Sequence, residues 1–91
     1  MTTREEAKTS ARKVLALLEE RAAEYPGYGA HSHAHAQLLR MLVELGSPCL
    51  PPASGREWVD IGLMAVKELE SADPDLANAL MDADYDFKHA D

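Results

Sequence analysis

All five prolines of this chain fall in three short segments. Residues 25–29 contain one Pro and two Gly, residues 47–53 contain three Pro, and residues 71–74 end in Pro. Proline removes a backbone donor and clashes with the preceding helical turn, so helices rarely continue through such segments. Between the breaks, apolar residues recur every three or four positions, which indicates amphipathic helices. The pattern predicts a single all-α domain over residues 1–91, with four helices at about 3–24, 31–45, 55–70 and 74–88.

The third predicted helix holds the only Trp of the chain, Trp58. Ser54 and Glu57 match the capping box S-x-x-E, in which the two residues satisfy each other's free backbone N–H groups. Trp58, Ile61 and Leu69 share one face of the helix. We therefore expect the other three helices to pack around this one, with Trp58 inside the core.

Two other helix starts carry local signals. Thr2 with Glu5, or Thr3 with Glu6, forms a T-x-x-E capping box. Asp73 followed by Pro74 is typical of an N-cap residue and the first helical position, where the missing proline N–H has no cost. The connections are short, so an up-down-up-down bundle is the simplest topology. An irregular packing is the alternative, because the proline-rich segment 47–53 need not form a tight hairpin.

The charge of the chain is strongly asymmetric. The formal net charge is −7. Residues 1–40 carry six Lys and Arg against five Glu, whereas residues 41–91 carry three against eleven Asp and Glu. Nucleic acids and anionic membranes need a basic surface, so both are excluded as expected partners. An acidic surface instead favours solubility or a basic protein partner.

The cellular compartment is indicated by the N-terminus and by cysteine usage. The N-terminal residues contain no apolar signal core, and no apolar run approaches the length that spans a bilayer. Cys49 is the sole cysteine, so the chain has no internal disulfide, which suits a reducing compartment. We expect a cytoplasmic protein.

Histidines at alternate positions form the first candidate site. In a helix, His31 and His35 lie one turn apart on one face, a spacing at which two imidazoles bind one metal ion, with His33 nearby. The metal hypothesis therefore places Zn²⁺ or Ni²⁺ on His31, His33 and His35. The alternative is that the three imidazoles are solvated at an exposed helix start, without a cofactor.

Carboxylates form the second set of candidates. Asp82, Asp84 and Asp86 have the spacing that opens a calcium loop, but the sixth loop position is Phe87 where that loop needs Gly. Glu57-x-x-Asp60 and the set Glu19, Glu20 and Glu24 resemble the Mg²⁺-binding carboxylates of small helical nucleotide pyrophosphatases. This resemblance implies magnesium-dependent nucleotide hydrolysis. No nucleophile motif supports other catalysis.

The function favoured by these observations is binding of another protein. We expect a small, acidic, non-enzymatic protein that acts as an adaptor, regulator or inhibitor of a basic partner, with a homodimer as a further possibility. The metal-binding protein and the pyrophosphatase-like enzyme are the alternatives. A wide apolar stripe that exceeds what three helices bury marks an interface. The predicted contact residues are Asp73, Asp75, Asp82, Asp84, Asp86, Val59, Leu63 and Met64.

Overall fold

A computed structural model describes residues 2–91, and its helices follow the predicted order. Within these residues, four α-helices form: α1 (Arg4–Glu24), α2 (Gly29–Leu45), α3 (Ile61–Glu68) and α4 (Pro74–Lys88). A 3-10 helix, Ala53–Arg56, precedes α3. An isolated parallel bridge joins Thr2 to Ala90, and residues 2–91 contain no β-strand. The all-α, four-helix fold class is thus confirmed.

Local capping signals position α1 and α4 as predicted. The Thr3 side chain accepts a hydrogen bond from the Glu6 N–H at 3.1 Å, and the Glu6 carboxylate accepts one from the Thr3 N–H. The backbone hydrogen bond from Thr3 is the main cause that lowers the pKa of Glu6. At α4, the Asp73 side chain accepts from the Leu76 N–H, and Pro74 is the first helical residue.

The helices surround a core that is almost entirely aliphatic. α4 packs against both α1 and α3, α2 packs against α1, and α2 touches α3 more sparsely. With only eight residues in α3, the arrangement departs from a regular bundle. Leu50 of the proline-rich segment packs against this core, as expected. The largest fully buried side chains are Phe87, Leu18, Leu38, Met41, Leu45, Ile61, Leu69, Leu76, Leu80 and Val59.

The start of the third helix was predicted wrongly. The 3-10 helix ends at Arg56, and α3 begins five residues later, at Ile61. The Ser54–Glu57 capping box does not begin a helix, because Pro52 is the N-cap of the 3-10 segment and Asp60 that of α3. Hydrogen bonds to α2 favour this irregular path. The Gln37 side chain accepts the Asp60 N–H and donates to the Trp58 carbonyl oxygen. A continuous helix would use both of these backbone groups for its own hydrogen bonds.

Trp58 lies at the edge of the core rather than at its centre. Its indole is half-buried and meets the ring of Phe87 edge-on, with centroids 5.8 Å apart. The Arg40 guanidinium lies 3.8 Å from the indole centroid, a cation–π contact that covers the ring from the solvent side. The expectation that Trp58 is the central core residue was therefore wrong, and Phe87, which is fully buried, takes that place.

Helix length and hydropathy bear on the membrane question. Among residues 2–91, no helix combines the length and the apolar character that crossing a bilayer requires.

Candidate partner-binding surface

A cluster of exposed apolar side chains covers the junction of α3 and α4. Leu63 is 59% exposed, Val66 47% and Tyr85 60%. Together with the half-buried Met81 they line one shallow depression. We call Leu63, Val66, Met81 and Tyr85 the α3–α4 patch. Of these four, Tyr85 is of the residue type that contributes most to binding energy where a partner covers it, and the aliphatic neighbours exclude water around it.

Asp84 holds the two helices beneath this patch together. It is buried, accepts the Gly62 N–H at 2.9 Å and pairs with the Lys88 ammonium at 2.9 Å. The missing side chain of Gly62 allows this approach, since a Cβ there would lie 3.0 Å from Asp84 Oδ2. The Gly62 N–H is one of the free donors of the first turn of α3, so Asp84 satisfies a group that would otherwise be unpaired.

The other predicted apolar contact residues take different positions. Val59 is buried in the core and also lines the floor of the depression beneath the α3–α4 patch. Met64 is half-buried and borders a separate depression with His33 and Asp60. Val59 and Asp84 therefore contribute packing beneath the surface, and Leu63 is the predicted apolar residue that is freely accessible.

The acidic residues of α4 do not form one continuous surface. Asp73 bonds Arg21 at 2.8 Å, a contact that raises the pKa of the guanidinium. Asp75 and Asp82 are exposed. Asp82 and the half-buried Asp86 border a groove between α1 and α4, away from α3. The predicted acidic contact surface is thus divided between the two sides of α4.

The three histidines of the metal hypothesis face different surroundings. His33 Nε2 lies 2.7 Å from Asp60 Oδ1, and this hydrogen bond is the main cause of a lowered pKa for Asp60. His35 lies 4.0 Å from Glu19. His31 is buried edge-on against Tyr28, and its Nδ1 has no hydrogen-bond partner within residues 2–91. Across the same residues, no group of three or more His, Cys, Asp or Glu is placed to hold a metal ion.

The carboxylates of the pyrophosphatase hypothesis are likewise separated by their contacts. Glu19 and Glu20 are exposed on α1, where Glu20 lies 4.0 Å from Arg21. Asp60 is held by His33 and by the Gln37 amide at 2.8 Å. In the part of the chain that the structure describes, these carboxylates do not converge on one point.

Sequence reasoning treated residues 25–29 only as a break between helices. In the structure, Tyr25 is 64% exposed, and Tyr28 is also exposed while its hydroxyl donates to the Glu68 carbonyl oxygen at 3.2 Å. Both tyrosines line a depression that includes the buried His31 and the Arg21–Asp73 ion pair. The sequence did contain a signal for this surface, because two tyrosines flank a Pro-Gly turn. Exposed aromatic side chains are typical of contact surfaces.

The sequence of this chain is similar to one described protein family. The sequence model of the family described as Tsi6 matches residues 6–89. The immune protein Tsi6 of Pseudomonas aeruginosa is 38% identical over 73 residues, which cover 80% of this chain and 77% of that protein.

Solved structures agree with the sequence match. The structure of Tsi6 from Pseudomonas aeruginosa superposes with a TM-score of 0.81 at 36% identity, covering 96% of this chain and 85% of the other. A chain in the structure of Tse6 in complex with Tsi6 superposes with a TM-score of 0.79 at 34% identity, covering 89% of this chain and 85% of the other. The chain belongs to the Tsi6 family.

Proposed function

We propose that this protein is an immunity protein that binds a protein related to Tse6 and neutralises it. The observation that carries the proposal is the similarity, over nearly the whole chain, to an immune protein and to a chain in the structure of Tse6 in complex with Tsi6. An immunity protein acts by binding rather than by catalysis. The expected partner is therefore the harmful protein itself, bound in a stoichiometric complex.

The chemistry of the described residues supports binding over catalysis. Two of the titratable groups that sequence analysis singled out are engaged in internal contacts: Asp84 with Gly62 and Lys88, and Asp60 with His33. Apolar side chains on α3 and α4, which Asp84 joins, are accessible to a partner. Rigid apolar surfaces favour association, because little conformational entropy is lost when a partner covers them.

We further propose that the partner presents a basic surface and that the complex forms in the cytoplasm. The support is the formal net charge of −7, concentrated in residues 41–91. Opposite charges speed the encounter of two proteins and exclude wrong partners. The free thiol of Cys49 suits a reducing compartment. Pairing of two copies stays a prediction, which sedimentation of the purified protein at several concentrations would test.

The proposal is tested with a Tse6-like protein as the candidate partner. Expression of that protein alone should slow growth of a heterologous host, and co-expression of this chain should restore it. The two purified proteins should co-elute in size-exclusion chromatography at a fixed ratio. Co-elution with restored growth supports the proposal, whereas separate elution by two folded proteins would overturn it.

A further inference from the structure

Exposed apolar side chains occur at three places among the described residues: the α3–α4 patch, the turn that carries Tyr25 and Tyr28, and α2 with Leu39 and Val43. We propose that the α3–α4 patch is the face that contacts the Tse6-like partner, with Tyr85 as the main contact residue. The partner surface would be an apolar depression bordered by basic side chains. This inference rests on the proposed function and deepens it by naming the surface and the chemistry of its occupant.

The first argument is that Tyr85 is both exposed and already held in place. Its ring stacks on the imidazole of His89, with centroids 4.0 Å apart and planes inclined by 21°. The His89 ring is fixed in turn, since its Nδ1 lies 2.8 Å from the Tyr85 carbonyl oxygen. An aromatic side chain that is ordered before binding loses little rotamer entropy in the complex, so more of its buried area contributes to affinity.

The second argument is that the two helices carrying the patch are locked to each other. The Gly62 N–H and the Lys88 ammonium both bond Asp84, which is buried between α3 and α4. The spacing of Leu63 on α3 from Tyr85 on α4 is therefore set by the fold. By contrast, Tyr25 stands on a loop in which Gly27 adopts a φ of +86°, outside both flanking helices.

The third argument is the charge around the patch. Glu57, Asp60 and Lys88 border the same depression, and the Lys88 ammonium is paired with the buried Asp84, so the border is acidic on balance. Residues 57–91 contain two Lys against ten Asp and Glu. The depression at Tyr25 likewise carries a paired cation, Arg21 with Asp73, beside Glu24, so it is the order of Tyr85 and of its helices that favours the α3–α4 patch. An apolar centre with an acidic border fits a partner with an apolar centre and a basic border.

The test measures binding of the Tse6-like protein by isothermal titration calorimetry. The variant with Leu63→Ala and Tyr85→Ala should bind at least about 30-fold more weakly than the unmodified chain, as expected for contact residues of this kind. The matched control is the variant with Val43→Ala and Tyr25→Ala. These two residues are 73% and 64% exposed and lie outside the α3–α4 patch. The control should bind within about threefold of the unmodified chain, and thermal unfolding should confirm that both variants are folded.

A second pair of variants tests the basic border without removing the aromatic ring. Leu63→Arg should weaken binding more than Leu63→Glu, because a basic border repels the added cation. Equal effects, or a larger effect of Leu63→Glu, would overturn the assigned chemistry. Binding that is lost in the control and retained in the patch variant would overturn the assigned surface but leave the proposed function standing. If the unmodified chain does not bind at all, the proposed function itself is wrong.

Discussion

The Arg56 guanidinium donates from Nη1 to the carbonyl oxygen of Ala90 at 2.8 Å, across 34 positions of sequence. The same nitrogen lies 3.0 Å from the Phe87 carbonyl oxygen, and Nε donates to Pro51. Arg56 is buried, and the partners of its guanidinium are backbone carbonyls rather than a carboxylate. The residue therefore satisfies free carbonyls at the end of α4 and ties the segment before α3 to that end.

Replacing Arg56 should destabilise the fold without touching the α3–α4 patch. We expect Arg56→Met to lower the free energy of unfolding by about 3 kcal/mol, because several buried carbonyls lose a charged donor. Arg56→Lys should lower it less, since Lys keeps the charge but not the forked geometry. Urea denaturation measures both variants. A loss below about 0.5 kcal/mol for Arg56→Met would contradict the role given to this residue.

Gly62 should resist replacement even though it lies in a helix. A Cβ at this position would lie 3.0 Å from Asp84 Oδ2 and 3.2 Å from Asp84 Cβ, so α3 and α4 would have to move apart. We expect Gly62→Ala to lower the free energy of unfolding by about 1 kcal/mol or more. Gly29→Ala in α2 is the matched control. Apart from the neighbouring backbone of α2, no described atom lies within 4 Å of the new Cβ. It should be neutral or slightly stabilising in thermal unfolding.

The helices whose boundaries follow from the sequence are those with local start signals. Thr3 with Glu6 and Asp73 with Pro74 act within three residues of the helix they begin, so tertiary structure hardly alters their effect. The segment before α3 is different. Gln37 and Asp60 are 23 positions apart, and no local pattern indicates that they bond. Such long-range contacts override the capping signal at Ser54.

The candidate surface was predictable only in part, for a related reason. Leu63 was expected at an interface because the apolar stripe of its segment is wide. Tyr85 was not predicted as a contact residue. Its position outside the apolar row of Leu80 and Phe87 was a usable signal, because a large aromatic residue outside the buried row indicates an exposed contact site. Burial of Asp84 depends on Gly62 in another helix, so the α4 aspartates could not be sorted from sequence alone.

The contact between His33 and Asp60 should make stability depend on pH in the acidic range. Hydrogen bonding by His33 lowers the pKa of Asp60, so the carboxylate stabilises the fold above the ordinary Asp pKa. This contribution is lost as the pH falls through the lowered pKa, which places the loss below about pH 4. Urea unfolding at a series of pH values measures the free energy of unfolding. Below that pH, it should fall more steeply for the unmodified chain than for Asp60→Asn. Parallel curves would contradict this role.

Stoichiometric Zn²⁺ or Ni²⁺ should leave the melting temperature unchanged. A ligand that binds only the folded state raises that temperature, and a lasting zinc site needs three or four converging ligands. His33 is held by Asp60 at 2.7 Å, His35 faces Glu19, and His31 is buried against Tyr28, so the three imidazoles have separate neighbours. Differential scanning fluorimetry with and without EDTA makes the measurement. A rise that disappears in the variant with His31→Ala and His35→Ala would instead establish the metal site that their spacing in sequence indicates.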